Sequence, residues 1–237
     1  MHRIESGSGS PVVLLDWTPW QSSVLADALA VQYRVISIEP PDGDNVPALA
    51  QSASEAAASV AEAAGVDSYS LVGVSLGADV AFRLALARPE AVAALALVSP
   101  ACIAPAESPN WDTPAQAADA MLAHPETAST GAPDASRTAG LAALAKRWGS
   151  TEGDAASILP DLACATLAVF GQEDRLVSRE AGGVWKERAP NCNVCYVYDA
   201  GHAVAADRPD ALVNVVLDFL ERRETFVVEN RSSLINP

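Results

Sequence analysis

No stretch of this sequence reaches the roughly 18 consecutive apolar residues that a bilayer-spanning helix requires, although 50% of its residues are hydrophobic. The first ten residues, "MHRIESGSGS", lack the charged-then-apolar order of a secretory leader, so the expected setting is soluble and cytoplasmic, with no membrane partner. Bases are scarce: 15 Lys and Arg face 30 Asp and Glu, a net charge of −15. A surface so negative repels phosphate backbones, which excludes nucleic acid and leaves a small molecule as the expected partner. Cysteine is limited to Cys102, Cys164, Cys192 and Cys195, and a chain of this size without an export signal has no need of a disulfide framework. "CNVC" has C-x-x-C spacing but lies in an extended apolar run, where alternation puts Cys192 and Cys195 on opposite faces. A redox or zinc role would need a turn there and a second pair of ligands, so no metal site is expected. Histidine is rarer still: only His2, His124 and His202 are present.

What the sequence does contain is a series of short apolar or β-branched runs at 11–15, 33–38, 69–74, 93–99, 165–171 and 193–198. Most lack polar alternation, as strands covered on both faces do. Alanine-rich helical stretches fall near 21–31, 48–64, 76–88, 179–188 and 204–223. This order predicts one α/β domain, a mostly parallel sheet flanked by helices, to which "HRIES" can add an antiparallel strand. Residues 104–160 break the pattern with several prolines and two helical pieces near 113–123 and 135–148. They read as a small helical cap inserted into a core made of 1–103 and 161–237. Trp111 and Trp148 are its large apolar groups, candidates for lining a pocket and equally for packing a core.

The stretch "LVGVSLGAD" carries the chemistry. An apolar strand ends in Gly-x-Ser-x-Gly and opens a helix. A sharp strand-to-helix turn turns its central side chain outward and demands small neighbours, here Gly73 and Gly77. Ser75 is then exposed at the carboxyl end of a parallel sheet, where such sheets bind ligands. The free N–H groups of the following helix favour developing negative charge. A serine hydroxyl needs a base to become nucleophilic. His202, in "YDAGHAVAADRPD" after the last long strand, is the candidate base. Asp174, in "VFGQEDRLVS" after strand 165–171, is the candidate for orienting it. Glu173 is the nearest competitor, while Asp199 and Asp79 read as structural.

The order Ser75, Asp174, His202, each after a strand, resembles the α/β-hydrolase fold family. The resemblance runs from "PVVLL" to "LDFLERR" and rests on "GVSLG", "GQEDRLV" and "AGHAVAADRPDAL". It implies a Ser–His–Asp triad, a cap between the family's sixth and seventh strands, and no cofactor. It also implies that Leu76 gives one oxyanion-hole N–H. Where many members have His-Gly after the first central strand, this chain reads "LLDWTPW". Thr18 matches the usual position of the second donor, with Trp17 as the substitute, because Pro19 has no N–H. An ionised Asp16 aimed at an oxyanion would oppose it, so Asp16 must point away, accept hydrogen bonds, or signal altered chemistry. Trp17 is also a candidate pocket wall, or else a core residue.

The expected activity is hydrolysis of a small or medium uncharged ester, thioester or lactone through an acyl-enzyme. The cap is apolar, and no basic cluster awaits a carboxylate or phosphate. Two alternatives stay open. One is another enzyme on the same scaffold, such as a carbon–carbon bond hydrolase or cofactor-free dioxygenase using the His–Asp pair as base. The other is a ligand-binding or signalling protein that retains the triad.

Overall fold

The computed structural model describes residues 2–20, 24–40, 61–103, 111, 113–126, 131–148, 155–227 and 234–235, with backbone only at 143–148 and 234–235. Eight strands in these segments form one sheet: β1 (Arg3–Ser6), β2 (Pro11–Trp17), β3 (Arg34–Ile38), β4 (Tyr69–Ser75), β5 (Val92–Val98), β6 (Ala165–Gly171), β7 (Cys192–Val197) and β8 (Leu234–Ile235). Their spatial order is β1-β3-β2-β4-β5-β6-β7-β8. Every pairing from β3 across to β7 is parallel, and the two edge pairings, β1 with β3 and β7 with β8, are antiparallel. "HRIES" thus supplies the antiparallel strand its pattern allowed. β8 was not signalled, because two residues are too few to show a period.

Seven helices whose bounds lie within the described residues accompany the sheet: α1 (Val24–Leu29), α2 (Leu76–Ala87), α3 (Pro114–Met121), α4 (Ala135–Trp148), α5 (Glu180–Arg188), α6 (Val204–Asp207) and α7 (Pro209–Arg222). The core has a layer on each face. Leu15, Leu71 and Leu97 pack with Phe82 of α2 and Trp185 of α5, and those two rings meet edge to face at 5.2 Å. Val12, Val72 and Val98 pack on the other face with Leu25 of α1 and Phe219 of α7. All seven residues of β4 are buried, which explains why the central strands carry no polar alternation. Cys192 packs with the first layer and Cys195 with the second, as strand alternation requires. Burial pushes both thiols up to about 12, so neither is a thiolate at neutral pH.

One difference from the expected pattern has a clear physical cause. The helix expected over 204–223 is split into α6 and α7 at Arg208, whose φ is −135°. Proline disfavours helical backbone in the residue before it, then serves well as the first residue of the next helix. Of the helix expected at 48–64, only 61–64 are described, and they are helical. Within 104–160, α3 and α4 match the two helical pieces, and a short 3-10 helix spans Ala155–Asp161. Residues 104–110, 112, 127–130 and 149–154 of this insertion lie outside the described residues. Thr113 caps α3 by accepting from Gln116 N at 3.3 Å, while the Gln116 side chain accepts from Thr113 N at 3.1 Å. That reciprocal pairing fixes where α3 starts. Among the described residues no helix is long and apolar enough to cross a membrane.

From β2 the chain steps to β3 on one side, then returns to place β4 on the other. The carboxyl ends of β2 and β4 therefore flank a crevice where strand order reverses, the usual ligand position in open α/β sheets.

Candidate active site

Ser75 stands at the end of β4 with φ 57° and ψ −124°, a conformation that costs a non-glycine residue about 1–3 kcal/mol. The two glycines make it attainable. A Cβ on Gly73 would lie 2.5 Å from the Gly77 carbonyl oxygen, and one on Gly77 would lie 2.1 Å from the Leu15 carbonyl oxygen. Both positions exclude any side chain, so β4, α2 and β2 meet closely enough to hold the turn. The Ser75 side chain makes no helix-capping hydrogen bond, so its hydroxyl is free to point at the base.

The candidate base arrives from the loop after β7. Ser75 Oγ lies 2.8 Å from His202 Nε2, and His202 Nδ1 lies 3.0 Å from Asp174 Oδ2. The side chains of His202 and Asp174 are each 3% exposed, so this contact is dry. An ionised carboxylate can only accept, which puts the ring proton on Nδ1 and leaves Nε2 to accept from the serine. Asp174 is itself held, because its Oδ1 accepts from Leu176 N at 2.8 Å and Val177 N at 3.0 Å. The three groups that the sequence singled out are thus brought together into one hydrogen-bonded chain across sequence separations of 127 and 28 residues. Glu173 serves the scaffold instead. Its side chain accepts from Ala200 N at 3.0 Å, and its backbone N–H donates to Ala200 O at 2.9 Å, lashing the Asp174 loop to the His202 loop.

Asp79 and Asp199 are also apart from this contact. Buried Asp79 accepts from Ala101 N at 2.9 Å and Cys102 N at 3.0 Å, fixing the chain as it leaves β5. Asp199 pairs with Arg208 on the surface. Ser99 was not anticipated: its Oγ donates to the His202 carbonyl at 2.8 Å from a fully buried position. His124 is exposed, 3.8 Å from Glu126 Oε1.

The loop after β2 carries Thr18, the candidate for the second donor. Trp17 pairs in register with Ser75, so Thr18, next in the chain, lies beside the start of α2, where Leu76 N–H belongs to the unsatisfied first turn. Asp16 accepts a hydrogen bond, the second of the fates open to it: Thr18 Oγ1 donates to its Oδ1 at 3.1 Å. The Trp17 side chain corrects one expectation. It is 2% exposed, packs in the core and donates from Nε1 to the Ile38 carbonyl at 2.8 Å. Strand alternation turns it into the α2-side layer, the core placement that the sequence left as the alternative to a pocket wall. Trp111 packs with Met121, Leu122, Leu176 and Ala203, and its buried indole N–H has no hydrogen-bond partner among the described residues. Trp148 ends α4, and its side chain lies outside the described residues.

The insertion meets this site along a polar seam. Ala203 N donates to the Met121 carbonyl at 2.8 Å, and an Arg175 amino group donates to the Leu122 carbonyl at 2.6 Å. Asp207 Oδ2 accepts from both Gly201 N at 2.8 Å and Ala123 N at 3.0 Å. Burial raises the Asp207 carboxyl above its ordinary value, against the lowering effect of those two N–H groups and of His124 and Arg175 nearby. The folded chain therefore takes up this proton at higher pH than the unfolded chain. Between the two values, acidification stabilises the fold through this group, and the ionised form is the costly one. Asp207→Asn, which keeps an accepting oxygen without the charge, is expected to melt at or above the wild-type temperature at pH 7. Asp207→Ala strands two N–H groups and is expected to cost about 1–3 kcal/mol by chemical denaturation.

Among the described residues no group of three or more His, Cys, Asp or Glu side chains is placed to hold a metal ion. What the geometry can do is deprotonate a buried alcohol and stabilise an imidazolium, next to backbone N–H groups at a helix start.

No protein-family model matches the sequence, and a search of curated proteins returns no match. Solved structures are more informative. The chain is similar to the carboxylesterase CesB from Bacillus subtilis, at a TM-score of 0.71 and 20% identity, covering 92% of this chain and 87% of that one. It is similar to the esterase RhEst1 from Rhodococcus sp. ECU1013, at 0.69 and 22%, covering 92% and 94%. Est816, described as an N-acyl homoserine lactone degrading enzyme, gives 0.68 and 19%, covering 92% and 96%. Alignment over nearly the whole length of all three, together with the mostly parallel sheet and flanking helices described above, leads to one conclusion: this chain has the α/β-hydrolase fold.

Proposed function

We propose that this protein is a serine hydrolase that cleaves a small or medium uncharged ester, thioester or lactone. The observation that carries the reading is the continuous contact from Ser75 Oγ through His202 to Asp174, at 2.8 and 3.0 Å. The three structural neighbours named above, two esterases and a lactone-degrading enzyme, favour the same chemistry.

Ser75 Oγ attacks the carbonyl carbon and its proton passes to His202 Nε2, while Asp174 stabilises the imidazolium. The new C–O bond leaves a tetrahedral oxyanion, which accepts from the N–H groups of Leu76 and Thr18. Collapse breaks the bond to the leaving alcohol or thiol, which takes the proton from His202. Water then attacks the acyl-serine, delivers a proton to His202, and releases the acid as that proton returns to Ser75. Within the cap formed by residues 104–160, Trp111 is the large apolar group that bounds the acyl site.

Incubation with a fluorophosphonate probe, peptide mapping and a panel of p-nitrophenyl esters of graded acyl length tests this reading. Stoichiometric modification at Ser75 with turnover of short or medium esters is the expected result. Labelling without turnover would instead indicate a receptor-like protein that keeps the triad. No labelling of the folded protein at Ser75 would remove the nucleophile.

A further inference from the structure

Arg137 lies in the first turn of α4, far in sequence from β2, yet its guanidinium reaches the end of that strand and the loop after it. Its Nε donates to the Thr18 carbonyl at 2.8 Å, and one amino group donates to the Asp16 carbonyl at 2.7 Å. The other amino group pairs with Glu39 at the end of β3. The base of α4 adds a further tie, from Asp134 N to the Pro19 carbonyl at 2.9 Å. Asp134 also caps the helix through its Oδ1, which accepts from Arg137 N at 2.8 Å, so the backbone that carries the guanidinium is itself fixed.

We propose that Arg137 is a positioning residue that holds the Asp16–Pro19 loop so that Thr18 N–H faces the oxyanion; this rests on the hydrolase reading above. Each peptide unit is planar, with its C=O and N–H pointing in opposite directions. The unit bearing Thr18 N–H lies between the two units whose carbonyls Arg137 holds. With both neighbours clamped, its plane has little freedom to rotate. The loop needs this external support because it lacks the glycine common at this position and carries Pro19, which donates no hydrogen bond. A fork of donors in fixed geometry can hold two carbonyls and a carboxylate together, and a lysine ammonium cannot reproduce that span. α4 therefore acts on the chemistry as well as covering it.

The test compares wild type, Arg137→Met and Arg137→Lys at a temperature where circular dichroism shows each folded. Two quantities are measured: kcat and KM for p-nitrophenyl butyrate, and the inhibition constant of phenyl trifluoromethyl ketone, whose adduct with a serine carries an oxyanion. Arg137→Met is expected to lose about 30–100-fold in kcat with KM nearly unchanged, because only the transition state needs the donor. The ketone should weaken by the same factor. Arg137→Lys should fall in between, and it answers the question alone if the methionine variant does not fold. A merely structural arginine would lower melting temperature without moving ketone affinity in the folded variants. Wild-type kcat or wild-type ketone affinity in either folded variant overturns the proposal alone. Failure of the wild-type protein to label at Ser75 overturns the hydrolase reading, and this proposal with it.

Discussion

Ser75→Ala is expected to lower kcat/KM for an ester by about 10⁴–10⁶-fold, because removing one member of a nucleophile–base pair costs nearly as much as removing all of it. The residual rate comes from binding and from the N–H donors, which the substitution leaves in place. Stability should change little. The lost group is one hydroxyl with one hydrogen bond to His202, worth about 0.5–1.5 kcal/mol net. Alanine at φ 57° carries the same backbone strain that serine already bears. A steady-state assay on an active-site-titrated sample makes the measurement, with a melting curve as control. Near-normal turnover in the variant would transfer the chemistry to His202 and Asp174 acting as a base. That outcome belongs to a carbon–carbon bond hydrolase or cofactor-free dioxygenase on the same scaffold, and would reduce Ser75 to a bystander.

The second large effect is expected at Gly171, which ends β6 three residues before Asp174. A Cβ there would sit 2.0 Å from the Gly201 carbonyl oxygen and 2.3 Å from the Ala200 carbonyl oxygen. Both obstacles are backbone, and neither can rotate aside. They belong to the loop that presents His202, which is tied to the Asp174 loop through Gln172 N to Val197 O and Glu173 N to Ala200 O, each at 2.9 Å. Gly171→Ala must therefore push the two loops apart. Overpacking of this kind costs about 1–3 kcal/mol or somewhat more. Displacing a catalytic group by about 1 Å costs on the order of 100-fold in rate. The variant should show both losses, read by urea denaturation and by kcat below its melting temperature. Gly183→Ala is the matched control. It lies in α5 with nothing within 4 Å of the added carbon, so it should gain up to about 1 kcal/mol through helix propensity. Wild-type kcat in Gly171→Ala would show that the two loops are not coupled.

The parts of this molecule that were legible in the sequence are those encoded by neighbours in the chain. β4, the turn at Ser75 and the start of α2 follow from an apolar run, two glycines and a helical stretch. Asp174 and His202 were found because each directly follows a strand, and parallel strands bring their carboxyl ends to one rim. The residues that sequence reasoning missed act through backbone atoms far away. Arg137 binds carbonyls 119 and 121 positions away, and any residue type offers a carbonyl, so no pattern at Asp16 or Thr18 announces the contact. Ser99 and Asp207 are the same kind of case. Trp17 was ambiguous because a bulky residue at the end of a strand suits either a core or a pocket. Only its place in the strand alternation, opening onto the Ile38 carbonyl, assigns it to the core.

The seam that joins the end of α3 to the chain around His202 limits how freely this insertion can be exchanged. Gly201 approaches so closely that a Cβ would meet the Met121 carbonyl oxygen at 2.6 Å and Ala123 N at 2.8 Å. A chimera that grafted the corresponding segment of another protein of this fold in place of residues 104–160 would confront Asp207 and Arg175 with foreign backbone. Its imidazole would lose alignment before the new surface met any substrate. Modular swapping in this scaffold therefore has to carry residues 121–123 along with their partners at 175, 201, 203 and 207, as one transplantable unit.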